Sequence, residues 1–205
     1  MRSLSIRCLL GVLTLGSAAA IPAQRADGEA GKTVAVAPQA KARSAAPPAV
    51  DREIRRGERL ATFGGCHDCH TPKVMTANGP QLDRSRLLSG YPAGASLPAV
   101  PSGIVGPAQW GALATNDLTA WVGPWGTSFA ANLTPDETGL RAWTAEQFIQ
   151  TMRTGKHLGV GRAILPPMPW FDVAALSDRD LKALFAYLKS VKPISNQVPP
   201  PTPPG

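Results

Sequence analysis

Cysteine is scarce in this chain: three in 205 residues, at positions 8, 66 and 69. Cys8 falls in a leader-like segment, and a disulfide between Cys66 and Cys69 would close a strained, unproductive loop. A disulfide framework is therefore excluded. Histidine is equally scarce, with three residues. A structural zinc site needs four Cys or His ligands at characteristic spacing, and beyond Cys66, Cys69 and the adjoining His70 only Cys8, His67 and His157 remain to complete one. Concentrated positive charge is missing too. From Asp51 onward there are 15 Lys+Arg against 12 Asp+Glu, so this part carries +3 of the chain's formal +7. Without a basic stripe, nucleic-acid binding is excluded, although a weak positive bias suits an acidic partner. No internal repeat is visible. The uncharged apolar run near the start is shorter than the roughly 20 residues that span a bilayer.

What is present is Cys66-His67-Asp68-Cys69-His70. This C-x-x-C-H spacing is a c-type haem attachment signature. Two thiols three positions apart can each form a thioether to one of the two vinyl groups on a porphyrin edge. The histidine that follows is then held beneath the ring, where its imidazole can ligate the iron. A thioredoxin-like dithiol shares the C-x-x-C but needs a βαβ context that this sequence lacks. One motif implies one covalent haem c per chain, with Cys66, Cys69 and His70 binding it and His70 as an iron ligand.

Residues 1–20 read as a secretory signal. Arg2 and Arg7 form the charged start, Cys8 to Leu15 the apolar middle, and Ala18-Ala19-Ala20 an A-x-A cleavage site. The competing reading is an uncleaved membrane anchor. Export, to the periplasm or otherwise outside the cytoplasm, agrees with haem attachment and with the cysteine usage. Residues 21–50, rich in Ala and Pro without an apolar period, read as a linker. One domain spans 51–193, and 194–205 form a Pro-rich tail.

Three helices are expected in that domain. The first covers about 51–63, with Ile54, Gly57, Leu60 and Ala61 at helical spacing. Glycine on this apolar face costs helix stability, which points to close contact with another helix. The second covers about 145–154, with a Thr144/Gln147 capping box, a Trp143–Phe148 staple and Gly155 as the stop. The third covers about 178–191, capped by Ser177, with Leu181, Leu184, Phe185 and Leu188 as its stripe. Thr134-Pro135-Asp136-Glu137 reads as a short helical turn. Residues 71–130, dense in Gly and Pro, read as ordered loops with room for short strands. Trp110, Trp121, Trp125 and Phe129 within them fit a haem edge or ordinary core equally well.

The motif, the helix before it and the amphipathic helix after a Met-Pro loop resemble class I cytochrome c domains. In that family the first and last helices cross closely, which Gly57, Leu184, Ala186 and Tyr187 match. Asn132-Leu133-Thr134-Pro135-Asp136, Thr138-Gly139-Leu140, Trp143 and Pro167-Met168-Pro169-Trp170 look like the cytochrome domains of membrane-associated alcohol dehydrogenase cytochrome subunits. Gly79-Pro80 through Leu88-Ser89-Gly90-Tyr91-Pro92 is similar to single-haem exported cytochromes. The resemblance covers about residues 52–193. It implies an all-α fold, helices around one covalent haem with long Gly/Pro-rich loops. Two departures stand out: Arg141-Ala142 before Trp143, where glycine is more usual, and the length of 75–130.

For the second iron ligand the sequence favours Met168. Its thioether is a soft neutral donor of the kind cytochromes c use, and Pro166, Pro167 and Pro169 hold the loop open around it. Met168 could instead be a gap-filling core residue. Met152 lies on a core-facing helical side, and Met75 is only five residues beyond His70. His157 would give a bis-histidine haem, and a vacant or water-filled site is the remaining option. His67 is expected to be exposed. The functional expectation is a non-enzymatic carrier of single electrons between a redox-protein donor and acceptor. Two alternatives stay open. One is the electron-accepting cytochrome subunit of a membrane-associated dehydrogenase or oxidase complex, and the other a peroxidase-like haem enzyme with a labile sixth ligand.

Overall fold

The computed structural model describes residues 48–101, 103–105 and 110–204. The signal-like segment 1–20 and most of the linker, through residue 47, lie outside the described residues. Among those described, no helix is long and apolar enough to cross a membrane.

The chain orders as α1 (Ala49–Phe63), α2 (Cys66–His70), β1 (Lys73–Thr76), β2 (Gly79–Leu82), β3 (Leu113–Ala114), β4 (Ala120–Gly123), β5 (Gly126–Phe129), α3 (Ala145–Thr154), α4 (Trp170–Ala174) and α5 (Asp178–Ser190). Single 3-10 turns occur at Arg84–Arg86 and His157–Gly159. The three expected helices are thus present. Thr144 accepts from the Gln147 amide and Gln147 reaches back to the cap, while Gly155 closes α3 at φ +65°. Ser177 caps α5 by accepting from the Asp180 amide.

The all-α expectation is overturned. Two antiparallel sheets make the fold mixed α/β: a β1–β2 hairpin and a β3–β4–β5 meander. β1 and β2 close on the pair Thr76↔Gly79, and β4 and β5 on Gly123↔Gly126. Both hairpins use two-residue turns, and Gly79 and Gly126 each take φ +93° there. A four-residue strand offers only two positions per face, too few for alternation to register in sequence. β1 shows none, with Val74, Met75 and Thr76 all exposed. The stretch Thr134–Glu137 is also not helical. It forms bends and turns, with Asp136 accepting from the Thr138 amide at 2.9 Å and hydroxyl at 2.7 Å.

The core joins α1, α3 and α5 through Ala61, Phe148, Ile149, Met152, Leu181, Leu184, Phe185 and Leu188. Phe148 and Phe185 stack with ring centres 5.4 Å apart. α1 crosses α5 at Gly57. A Cβ added there would meet the Ala183 carbonyl carbon at 2.6 Å and the Tyr187 Cβ at 2.7 Å, so only glycine fits. Arg56 and Asp180 pair across the same crossing at 2.5 Å.

The Pro-rich C-terminal stretch packs onto the domain. Asn196 is 3 % exposed. Its side-chain amide donates to the carbonyls of Ser89 at 2.6 Å and Tyr91 at 2.8 Å, and its oxygen accepts from the Ala93 amide at 2.8 Å. Further on, Thr202 pairs with Thr127 along β5.

Candidate haem-binding site

Cys66 to His70 fold into one helical turn, α2, entered through Gly65 at φ +66°. Residues three apart on a helix share a face, so α2 presents the Cys66 and Cys69 sulfurs on the same side. Both thiols are free and half-buried. Burial pushes the Cys66 thiol up to about 11, and burial also raises Cys69 despite the opposing pull of Lys73, so both are neutral at physiological pH. The C-terminal end of the turn is held by the Lys73 ammonium, which donates to the carbonyls of Asp68, Thr71 (3.2 Å) and Asp117 (2.7 Å). A cation suits the unpaired carbonyls at a helix C-terminus.

His70 is buried. Its Nδ1 lies 2.8 Å from the Ala131 carbonyl, which can only accept, so Nδ1 carries the proton and Nε2 keeps its lone pair. Burial drives the ring's pKa down, which the Ala131 bond only partly opposes, and the imidazole is neutral. Its backbone is anchored as well, since the Gly90 amide donates to the His70 carbonyl at 2.8 Å. Gly90 sits so close to residues 130–131 that a Cβ would fall 2.6 Å from Ala131 backbone atoms. Leu88 supports the same seam. It is fully buried at φ +59°, its amide donates to Thr71 Oγ1 at 2.9 Å, and its carbonyl accepts from the Leu133 amide at 2.8 Å.

Met168 lies half-buried in the loop between the 3-10 turn and α4, and it packs against the hydrophobic core, as Cys66 does. The two candidate axial residues, His70 and Met168, are tied to one short segment. Ala131 holds His70, while Ser128 donates to the Pro166 carbonyl at 2.6 Å, two residues before Met168. The competitors lie elsewhere. Met152 is 8 % exposed within the core cluster, whereas Met75 is 63 % exposed on β1. His157 is exposed and meets Trp143 edge-on at 5.1 Å. His67 is half-buried rather than exposed, between the Thr71 hydroxyl at 3.0 Å and the Tyr187 hydroxyl at 3.4 Å.

The four aromatics of the middle segment each have different surroundings. Trp121 donates to the Leu118 carbonyl at 3.1 Å, and Phe129 packs against Tyr91 at a 54° tilt with centres 4.8 Å apart. Trp125 covers Gly123, and Trp110 is 60 % exposed. Residues that sequence reasoning missed include Ala131, Ser128 and Asn196. Ala131 acts through its backbone carbonyl, which no side-chain pattern announces.

The donor set fits a covalently attached haem: two neutral thiols on one helical face, then a neutral imidazole with Nδ1 satisfied and Nε2 free.

No family model matches the chain. It is 30% identical over 147 residues to the gluconate 2-dehydrogenase cytochrome c subunit of Pantoea cypripedii, covering 71% of this chain and 25% of that protein. It is 29% identical over 146 residues to the cytochrome c subunit of the quinone alcohol dehydrogenase of Gluconobacter oxydans, covering 70% and 23%. The fructose dehydrogenase cytochrome subunit of Gluconobacter japonicus is 30% identical over 148 residues, covering 71% and 23%. The chain spans a quarter or less of the length of these relatives. The chain is homologous to c-type cytochromes, which imply haem c as the cofactor. The three relatives named here are, specifically, cytochrome c subunits of dehydrogenases.

Proposed function

We propose that this chain is an exported single-haem c-type cytochrome that carries single electrons, with haem attached at Cys66 and Cys69 and ligated by His70 and Met168. When bound, the haem supplies a one-electron Fe(III)/Fe(II) couple. The observation that carries this reading is the buried His70, its Nδ1 donating to Ala131, directly beside two thiols on one helical face. That bond fixes the tautomer and ring orientation and raises the donor strength of Nε2. Met168 would supply a soft, neutral sulfur of the kind that favours the reduced metal. Its loop lacks the amides of Pro167 and Pro169, so it cannot wind into a helix there. Cys66 and Met168 both pack against the hydrophobic core, which lowers the dielectric on that side of them.

Two protein ligands leave no open coordination position, which supports carriage rather than catalysis. The names of the relatives support a dehydrogenase as electron donor, with this chain as the accepting cytochrome component and a second redox protein beyond it. Export rests on Arg2, Arg7, the apolar run after them and the Ala18-Ala19-Ala20 site.

The test is chemical. Holoprotein extracted with acid–acetone should keep its haem absorbance, and its mass should equal the mature chain plus one haem. Cys66→Ala combined with Cys69→Ala should release the colour into the solvent. Freely extractable haem in the parent protein, or a mass equal to the apoprotein, would overturn the reading. Tight carbon monoxide binding by the intact reduced protein would point instead to an open-site haem enzyme.

A further inference from the structure

Ser128 is 9 % exposed and stands on β5, between two groups that it connects. Its hydroxyl accepts from the Trp125 indole N–H at 3.2 Å and donates to the Pro166 carbonyl at 2.6 Å. The strand beneath it is held on both edges. β4 pairs with it on one side, and on the other Thr127 exchanges two backbone bonds with Thr202, at 2.9 and 3.1 Å. Gly126 permits that second pairing, since a Cβ there would meet the Pro203 carbonyl carbon at 2.6 Å.

The loop on the receiving end has few ways to be fastened. In Pro166-Pro167-Met168-Pro169 only Met168 carries a backbone N–H, so the carbonyls must do most of the anchoring. The Met168 carbonyl is already used locally, accepting from the Trp170 amide at 2.9 Å. The Pro166 carbonyl is the one bonded to the sheet. The bond starts from a buried hydroxyl and ends at an exposed proline, and a chain of bonds sharing one hydroxyl polarises along its length.

We propose that Ser128 is a positioning residue for the Met168 sulfur. The Trp125–Ser128–Pro166 chain passes the rigidity of the β3–β4–β5 sheet and its C-terminal strap into the methionine loop. It thereby sets how firmly the thioether is held in place. This rests on the reading of Met168 as the second axial ligand.

The experiment uses full-length ferric holoprotein and two readouts that a merely structural role would not move selectively. These are the sulfur-to-iron charge-transfer band and the apparent affinity for cyanide, which competes with the sulfur. Ser128→Ala should weaken the band and raise cyanide affinity by about tenfold, equivalent to about 1.4 kcal/mol of lost holding. Ser128→Thr, which keeps a hydroxyl, should restore both. Trp125→Phe keeps the ring body but loses the N–H, so it should move both readouts the same way by a smaller factor. It carries the test if Ser128→Ala does not assemble.

Unchanged band and cyanide affinity in Ser128→Ala, or in Trp125→Phe where that variant stands in, would overturn the proposal. So would an equal rise in Ser128→Thr, or in the core control Met152→Ala, because general loosening would then explain the effect. The two readings fail separately. If the parent protein lacks the band and Met168→Ala leaves cyanide affinity unaltered, the ligand assignment itself is wrong. If Met168→Ala abolishes the band while Ser128→Ala does nothing, only the positioning role falls.

Discussion

Replacing Gly57 with alanine should destabilise the domain even though alanine is the better helix former. In an exposed helix interior the exchange would gain about 1 kcal/mol. At the crossing of α1 with α5 the new methyl carbon would lie 2.6 Å from the Ala183 carbonyl carbon and 2.7 Å from the Tyr187 Cβ. The Ala183 carbonyl oxygen lies nearer still, and ordinary contact begins at roughly 3.5 Å, so the helices must part by an ångström or more. The obstructing atoms are backbone and a Cβ, which cannot swing aside. Overpacking of this kind costs about 3 kcal/mol at the upper end of its range, leaving a net loss near 2 kcal/mol. Separation would also strain the Arg56–Asp180 pair across the same crossing. The assay is urea unfolding of holoprotein followed by far-UV circular dichroism, with a lower midpoint at unchanged slope expected. For a chain of this size the thermal midpoint should fall by about 4–8 °C. An unchanged or raised midpoint would refute the close-packed crossing, because helix propensity would then act unopposed.

Four further variants carry expected outcomes. Met168→Ala should keep the haem attached but lose the sulfur-to-iron band, lower the reduction potential and begin to bind carbon monoxide. Met152→Ala should instead cost about 2–4 kcal/mol as a core truncation with its spectrum intact, and an exchange of these behaviours would reverse the assignment. Asn196→Ala leaves the Ser89 and Tyr91 carbonyls and the Ala93 amide without their partner. It should cost about 3 kcal/mol in urea unfolding, and a loss below about 0.5 kcal/mol would show that the C-terminal stretch adds nothing to the fold. The bonds from Arg56 and Ser177 hold the Asp180 carboxyl below the usual carboxylate range. A lowered folded-state pKa contributes stability that is complete above that range and is lost as the pH falls through the lowered value. Asp180→Asn should therefore show a shallower acid decline in urea midpoint below about pH 4 than the parent protein, and parallel curves would sink this account.

The local chemistry was legible in the chain because it is written in adjacent residues. Cys66, Cys69 and His70 suggest the proposed haem attachment without any fold, since one helical turn is enough to put both sulfurs on one face. α1, α3 and α5 were legible for a similar reason, as each carries its own stripe, and α3 and α5 their own caps. Gly57 on an apolar face pointed to a close neighbour, but only the packing identified Ala183 and Tyr187 as that neighbour. Residues 71–130 left room for short strands, but the positions and pairing of these were not legible, and the all-α reading failed on them. Four-residue strands gain stability from the partner across the ladder and from burial, not from their own pattern. The supports of the site were hidden for the same reason. Ala131 holds His70 through a backbone carbonyl 61 positions away, and Ser128 reaches Pro166 across 38. A backbone acceptor has no residue type, and a serine has no period. The sequence by itself nominated the atoms proposed to bind haem, and the tertiary structure alone decided what holds those atoms in place.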